Sequence, residues 1–228
     1  MKKYTIILII PSIFTFVLLL FSNSKTNTYT SLNDSLKQSK TAIALAYKNE
    51  KDNGKDSVIN NTKQILLDII VNQYFNFWYH TPWSFYGQTR TPKKGTIACG
   101  YFVTTVLFDA GFNIPRVAWA KLPSEVFIKK MTTDLTRFRS ANIDSITKYI
   151  KNRKDGLYIV GLDCHVGFIY KLNNKIQFVH SSYYKPEIGV LSENLNTDNP
   201  LKNSKYVVIG RILTNKNITD WIENKAIK

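Results

Sequence analysis

Three residues in this chain have the types and surroundings that nucleophilic chemistry needs: Cys99, His165 and His180. Cys99 lies in "GTIACGYFVTTVLFDAGF", residues 95–112, at the head of a helical pattern. Cys99, Phe102, Val103, Val106, Leu107 and Ala110 fall at i, i+3, i+4, i+7, i+8 and i+11, one face of a helix, and Gly111 ends it. The cysteine is therefore in the first turn. There the backbone N–H groups lack partners and the helix dipole is positive, so a thiolate is stabilised, its pKa lowered, and an oxyanion can be received. A small buried thiol heading a core helix would occupy the same position without chemistry, so a base has to be found.

The chain has three histidines, His80, His165 and His180. "GLYIVGLDCHVGFIYKLNNKIQFVHSSYY" predicts strands over 157–162, 164–171 and 175–182, with a tight turn at Asn173-Asn174, a residue type that accepts the left-handed conformation. A two-residue loop sets Leu172 opposite Lys175. Gly167 then opposes His180 and His165 opposes Ser182. The two imidazoles become diagonal neighbours on one face, with only a glycine between them. The competing reading is a pair of satisfied or exposed polar residues on a hairpin. His80 sits in an aromatic loop without such a partner and is read as a loop residue. No Asp, Glu or further His is spaced to complete a metal-ligand set, so no metal or cofactor is expected. Cys164 precedes His165 in its predicted strand. Its side chain is expected on the opposite face with Val166 and Phe168, as a buried free thiol not bridged to Cys99.

The elements that must position these residues occupy the middle and end of the chain. "MKK" followed by the uncharged run "YTIILIIPSIFTFVLLLF" predicts a signal peptide or N-terminal membrane anchor over 1–24. Residues 25–55 are polar, with one short apolar patch, and are expected to be a tether with room for one weak helix. The body, 56–228, opens with a helix capped by Ser57, then the aromatic loop "NFWYHTPWSFYGQTRTPKKG", then the cysteine helix. "LPSEVFIKKM", "NIDSITKYIKN" (capped by Asn142 or Asp144) and "NITDWIENKAIK" are predicted helices, 205–213 a strand, and 183–204 a loop. With 31 Lys+Arg against 16 Asp+Glu, the formal charge is +15. That balance fits an anionic envelope surface; without a zinc knuckle, RNA-recognition motif or helix-turn-helix, nucleic acid is not an expected partner. The chain is thus expected outside the cytoplasm, secreted, periplasmic or anchored by its N-terminal segment.

A cysteine at a helix start followed by a histidine-bearing hairpin resembles the NlpC/P60 family of papain-like thiol hydrolases. The resemblance rests on "TPWSFYGQTRTPKKGTIACGYFVTTVLFDAGFNIPR", with its aromatic-Gly loop and "GFNIPR" end at Gly111 to Arg116, and on "HVGFIYKLNNKIQFVHSS". It covers roughly residues 60 to 185. It implies an α+β, papain-like fold with the cysteine helix packed on an antiparallel sheet. It also implies a triad of Cys99 as nucleophile, His165 as base and His180 as orienter, acting on a cell-wall (peptidoglycan) peptide. The chain departs from the family's Asp-Cys-Ser-Gly, having Ala98, Cys99, Gly100 and Tyr101, and so lacks two groups used near the bound peptide. The family's loop tyrosine, which assists at the oxyanion, aligns with Trp83; Tyr86 is the alternative hydroxyl. The expected activity is therefore that of an exported cysteine peptidase or amidase. The alternatives are another thiol acyl-transfer enzyme, CHAP-type or transglutaminase-like, and a catalytically inactive envelope-binding domain.

Overall fold

A computed structural model describes residues 28–140 and 142–227; the predicted export segment, 1–24, lies outside the described residues. The first element, α1 (Tyr29–Asn49), corrects the tether expected over 25–55. It is a 21-residue helix with a capping box at Thr28, and it buries Leu32, Leu36, Ser39 and Ile43. Those positions form a stripe one or two residues wide, which the surrounding Ser, Asn, Lys and Thr conceal in a linear reading. Polar contacts fix it in place. The Tyr29 hydroxyl donates to Asp109 Oδ2 (2.7 Å), the Trp78 indole donates to that hydroxyl (2.9 Å), and Lys40 Nζ donates to the Gly111 carbonyl (2.7 Å).

Helix α2 (Asp52–Ile69) begins a few residues before the predicted body and continues through a π-helical turn (Ile70–Tyr74) into α3 (Phe75–Trp78). The aromatic loop leads to the cysteine helix α4 (Cys99–Asp109), whose length and start agree with the predicted stripe. Two short helices follow, α5 (Arg116–Ala120) and α6 (Ser124–Met131), then β1 (Leu135–Arg139) and α7 (Ile143–Lys151), which is capped by the Asn142 side chain. The remaining elements are β2 (Gly156–Gly161), β3 (Val166–Leu172), β4 (Lys175–Ser181), β5 (Val190–Glu193), α8 (Pro200–Asn203), β6 (Tyr206–Ile212) and α9 (Asn215–Ile222).

The six strands form one antiparallel sheet in the order β1-β6-β2-β3-β4-β5, so the protein is a mixed α+β fold. Alternation along the strands divides the core. Val166, Phe168, Tyr170 and Val179 face α4 and α3, where the Phe168 ring lies 5.9 Å from Phe102 and 5.3 Å from Phe75. Tyr158, Val160, Ile169 and Phe178 face the other way, under Ile146 and Ile150 of α7 and Leu195 and Leu201 beyond β5. The β3–β4 register is the predicted one, Leu172 opposite Lys175, and both Asn173 and Asn174 have positive φ. Strand β5, inside the stretch expected to be loop, was not predicted, because four residues of mixed polarity carry little period. No helix among the described residues is long and apolar enough to cross a membrane.

Candidate active site

The chain entering α4 is fixed by hydrogen bonds to the aromatic loop and to β4. Ile97 N donates to Pro82 O (2.9 Å) and Ala98 N to Gly87 O (2.8 Å), while Ser181 Oγ from β4 donates to Ile97 O (2.7 Å). Ala98 has no capping side chain, so the N–H groups of the first turn are not taken by one. Gly100 is dictated by packing: a Cβ there would collide with the Ala120 carbonyl oxygen of α5. Arg116, the last residue of "GFNIPR", is buried and clamps the loop to the helix. Its Nε donates to Thr105 Oγ1 (2.6 Å), its Nη2 to the carbonyls of Gln88 (3.1 Å) and Thr89 (3.2 Å), and its guanidinium lies over the Tyr101 ring.

The histidines meet as the register requires. His165 Nε2 and His180 Nδ1 are 2.8 Å apart, and the rings stand nearly perpendicular. A Cβ at Gly167 would come within 2.8 Å of His180 Cβ and 2.9 Å of Val179 O, so the pair can form only beside a glycine. His180 also stacks on Phe178, 4.1 Å between centroids, and is fully buried. Its Nε2 lies 3.0 Å from Glu193 Oε2, and Glu193 Oε1 accepts from Lys185 Nζ at 2.6 Å. Glu193 and Lys185 were not foreseen. Both lie in the stretch expected to be loop, and only the pairing of β5 with β4 brings the carboxylate beside His180.

Cys99 and His165 border one cleft of about 950 Å³, walled by Trp83, Phe85, Tyr86, Tyr101 and Tyr183. The Tyr183 ring meets His165 edge-on at 5.2 Å and lies 6.1 Å from Trp83. The other His165 nitrogen, Nδ1, is buried and has no hydrogen-bond partner, and the Trp83 indole N–H is likewise buried and unpaired. Tyr86 stands almost wholly in solvent. His80 is a turn residue with φ 66°, as expected of a loop position, and its N–H donates to Val190 O.

Two expectations are corrected here. Cys164 is a free thiol, but it is exposed and lines the same cleft as Cys99. Strand β3 starts only at Val166, so Cys164 belongs to the β2–β3 connection, and α4 covers the very face on which the predicted alternation set it. The Cys99 thiol is not lowered in pKa. Burial pushes it up, and the N–H groups of Val166, Gly100 and Cys99 itself only partly offset this. Burial also drives His165 well below the usual imidazole range, with His180 beside it adding to the effect. His180 is lowered by burial too, although Glu193 opposes it. The site therefore holds a neutral thiol and two neutral imidazoles, so nucleophilic attack by the sulfur would require a proton to move with it. No group of three or more His, Cys, Asp or Glu among the described residues could hold a metal ion. No family model, no curated protein and no solved structure matches the chain.

Proposed function

We propose that this protein is an exported cysteine hydrolase of papain-like, NlpC/P60-type design, cutting amide bonds in cell-wall peptides through Cys99, His165 and His180. The observation that carries the reading is the His165–His180 hydrogen bond, which leaves His165 Nδ1 unpaired beside a cleft that also holds Cys99 at a helix start. The thiol proton passes to His165 Nδ1 as sulfur attacks the amide carbonyl carbon. The tetrahedral oxyanion collapses, the C–N bond breaks, and the imidazolium returns the proton to the leaving amine. Water then attacks the thioester, again giving its proton to His165, and the acid leaves as the thiol is restored. One amide and one water become one acid and one amine.

The basic balance of the chain, +15, suits work at an anionic envelope, and the N-terminal apolar run suits export. The aromatic walls of the cleft and the absence of the family's Asp and Ser beside the nucleophile argue for contacts to the substrate different from those of the usual wall peptidases. Digestion of purified wall peptides with mass readout tests the proposal. Wild type is expected to release new termini and Cys99→Ala none; cleavage that survives Cys99→Ala rules out the thiol mechanism, and no cleavage by either favours the binding domain.

A further inference from the structure

The geometry points to Glu193, held by Lys185, as a positioning residue that sets the tautomers of both histidines and so decides which nitrogen of His165 is the base. The inference deepens the hydrolase reading and rests on it. It starts from proton counting along a chain of contacts. A carboxylate only accepts, so His180 Nε2, 3.0 Å from Glu193 Oε2, must carry the ring proton. A neutral imidazole has one proton, so His180 Nδ1 is then a bare acceptor. His165 Nε2, 2.8 Å away, must donate to it. That consumes the one proton of His165 and leaves its Nδ1 as a lone pair, the atom that is buried without a partner.

Nothing else in the contact chain breaks the symmetry of the two imidazoles. Phe178 stacks flat on His180 and Tyr183 meets His165 edge-on, and neither fixes a proton. With an uncharged side chain at 193, His180 can carry its proton on Nδ1 instead. His165 Nε2 would then have to accept, its own proton would move to Nδ1, and the base would be lost. Lys185 anchors the other carboxylate oxygen at 2.6 Å, which keeps Glu193 ionised and aimed. Lys185 belongs to the segment crossing the aromatic loop, where Trp83 N donates to Pro186 O and Val190 N to Thr81 O. The carboxylate is therefore tied to the wall of the cleft as well as to the sheet. The titratable and charged groups around the pair are Glu193 and Lys185 from the β5 side, Cys99 from α4, Cys164 from the β2–β3 connection, and Tyr183 edge-on to the His165 ring.

Ring ¹⁵N spectra of the full chain at neutral pH test this without any substrate. Wild type is expected to show both histidines neutral with the proton on Nε2; a proton on Nδ1 of either ring in wild type overturns the inference before any variant is made. In Glu193→Gln the Nε2 preference of both rings should be lost. The second readout is alkylation of Cys99 by iodoacetamide, followed by peptide mass so that Cys164 is counted separately. Glu193→Gln should slow Cys99 by about tenfold or more and move its alkylation limb to higher pH, because the thiol loses its proton acceptor. In a His180→Leu background, where no polar atom passes the preference of residue 193 on to His165, the same substitution should change the rate less than twofold. Equal slowing in both backgrounds, or unchanged ring tautomers in Glu193→Gln, means that Glu193 is merely structural. Failure of wild type to cut wall peptides would count against the hydrolase reading alone, since the ring spectra still decide this one.

Discussion

At the residue scale, the site depends on which polar atoms have been left without partners. Burying a donor or acceptor unpaired costs about 1–3 kcal/mol, so such atoms are few in a folded chain. Two of those in the described residues, His165 Nδ1 and the Trp83 indole N–H, belong to residues that border the cleft beside Cys99. In the proposed mechanism the first is the base. The second separates two candidates for oxyanion assistance that the sequence leaves equal: Trp83 holds an unspent donor, whereas Tyr86 is in water. Trp83→Phe keeps a ring and removes the N–H, and is expected to lower kcat by about 10²-fold with a smaller change in KM. Tyr86→Phe should stay near wild type. The reverse ranking in steady-state kinetics would assign the oxyanion donor to Tyr86.

At the element scale, the surprise is α1. A segment of Ser, Thr, Asn, Lys and Asp has the composition of a tether, yet it folds because a narrow apolar stripe has somewhere to go. Leu32, Leu36 and Ile43 join the core cluster that contains Phe102, Val106 and Leu107 of α4. The helix is also tied to the end of the cysteine helix through the Tyr29–Asp109 hydrogen bond. Leu36→Ala is expected to cost about 2–4 kcal/mol, the range for emptying a well-packed leucine site, measured by urea unfolding. A tether would register no change. The hairpin is the opposite case. Its register is dictated locally by Asn173 and Asn174, so the meeting of His165 with His180 was legible before any tertiary contact was known.

At the scale of the whole molecule, the buried histidine pair ties stability to pH. Both imidazoles have folded pKa values below the unfolded value of about 6.5, the main cause being burial. A depressed histidine contributes stability that is present above the unfolded pKa and lost as pH falls toward the folded value, because only the unfolded chain then takes up protons freely. Stability should therefore decline from about pH 6.5 downward, above the range where most carboxylates titrate. Between pH 7.5 and 5.5 the two groups together should lower stability, His165 more than His180, whose share Glu193 softens. Urea unfolding at the two pH values checks this, and a His165→Gln, His180→Gln double variant should lose most of the dependence.

The sequence by itself determined what is local: the cysteine in the first turn of α4, the turn at Asn173-Asn174, the hairpin register that brings His165 beside His180, and the core stripe of α4. Each follows from periods of 3.6 or 2 and from turn chemistry, which a linear string carries. Tertiary structure alone decided the rest. Cys164 was expected among apolar neighbours but lies in a connection beside the cleft, because strand alternation holds only where the strand exists. The Cys99 thiol was expected to be lowered and is raised, because enclosure depends on which elements close over a helix start, not on the start itself. Glu193 reaches His180 from 13 residues away only through the pairing of β5. A short strand of mixed polarity announces neither its partner nor its register, so the carboxylate beside His180 had no signature in the chain.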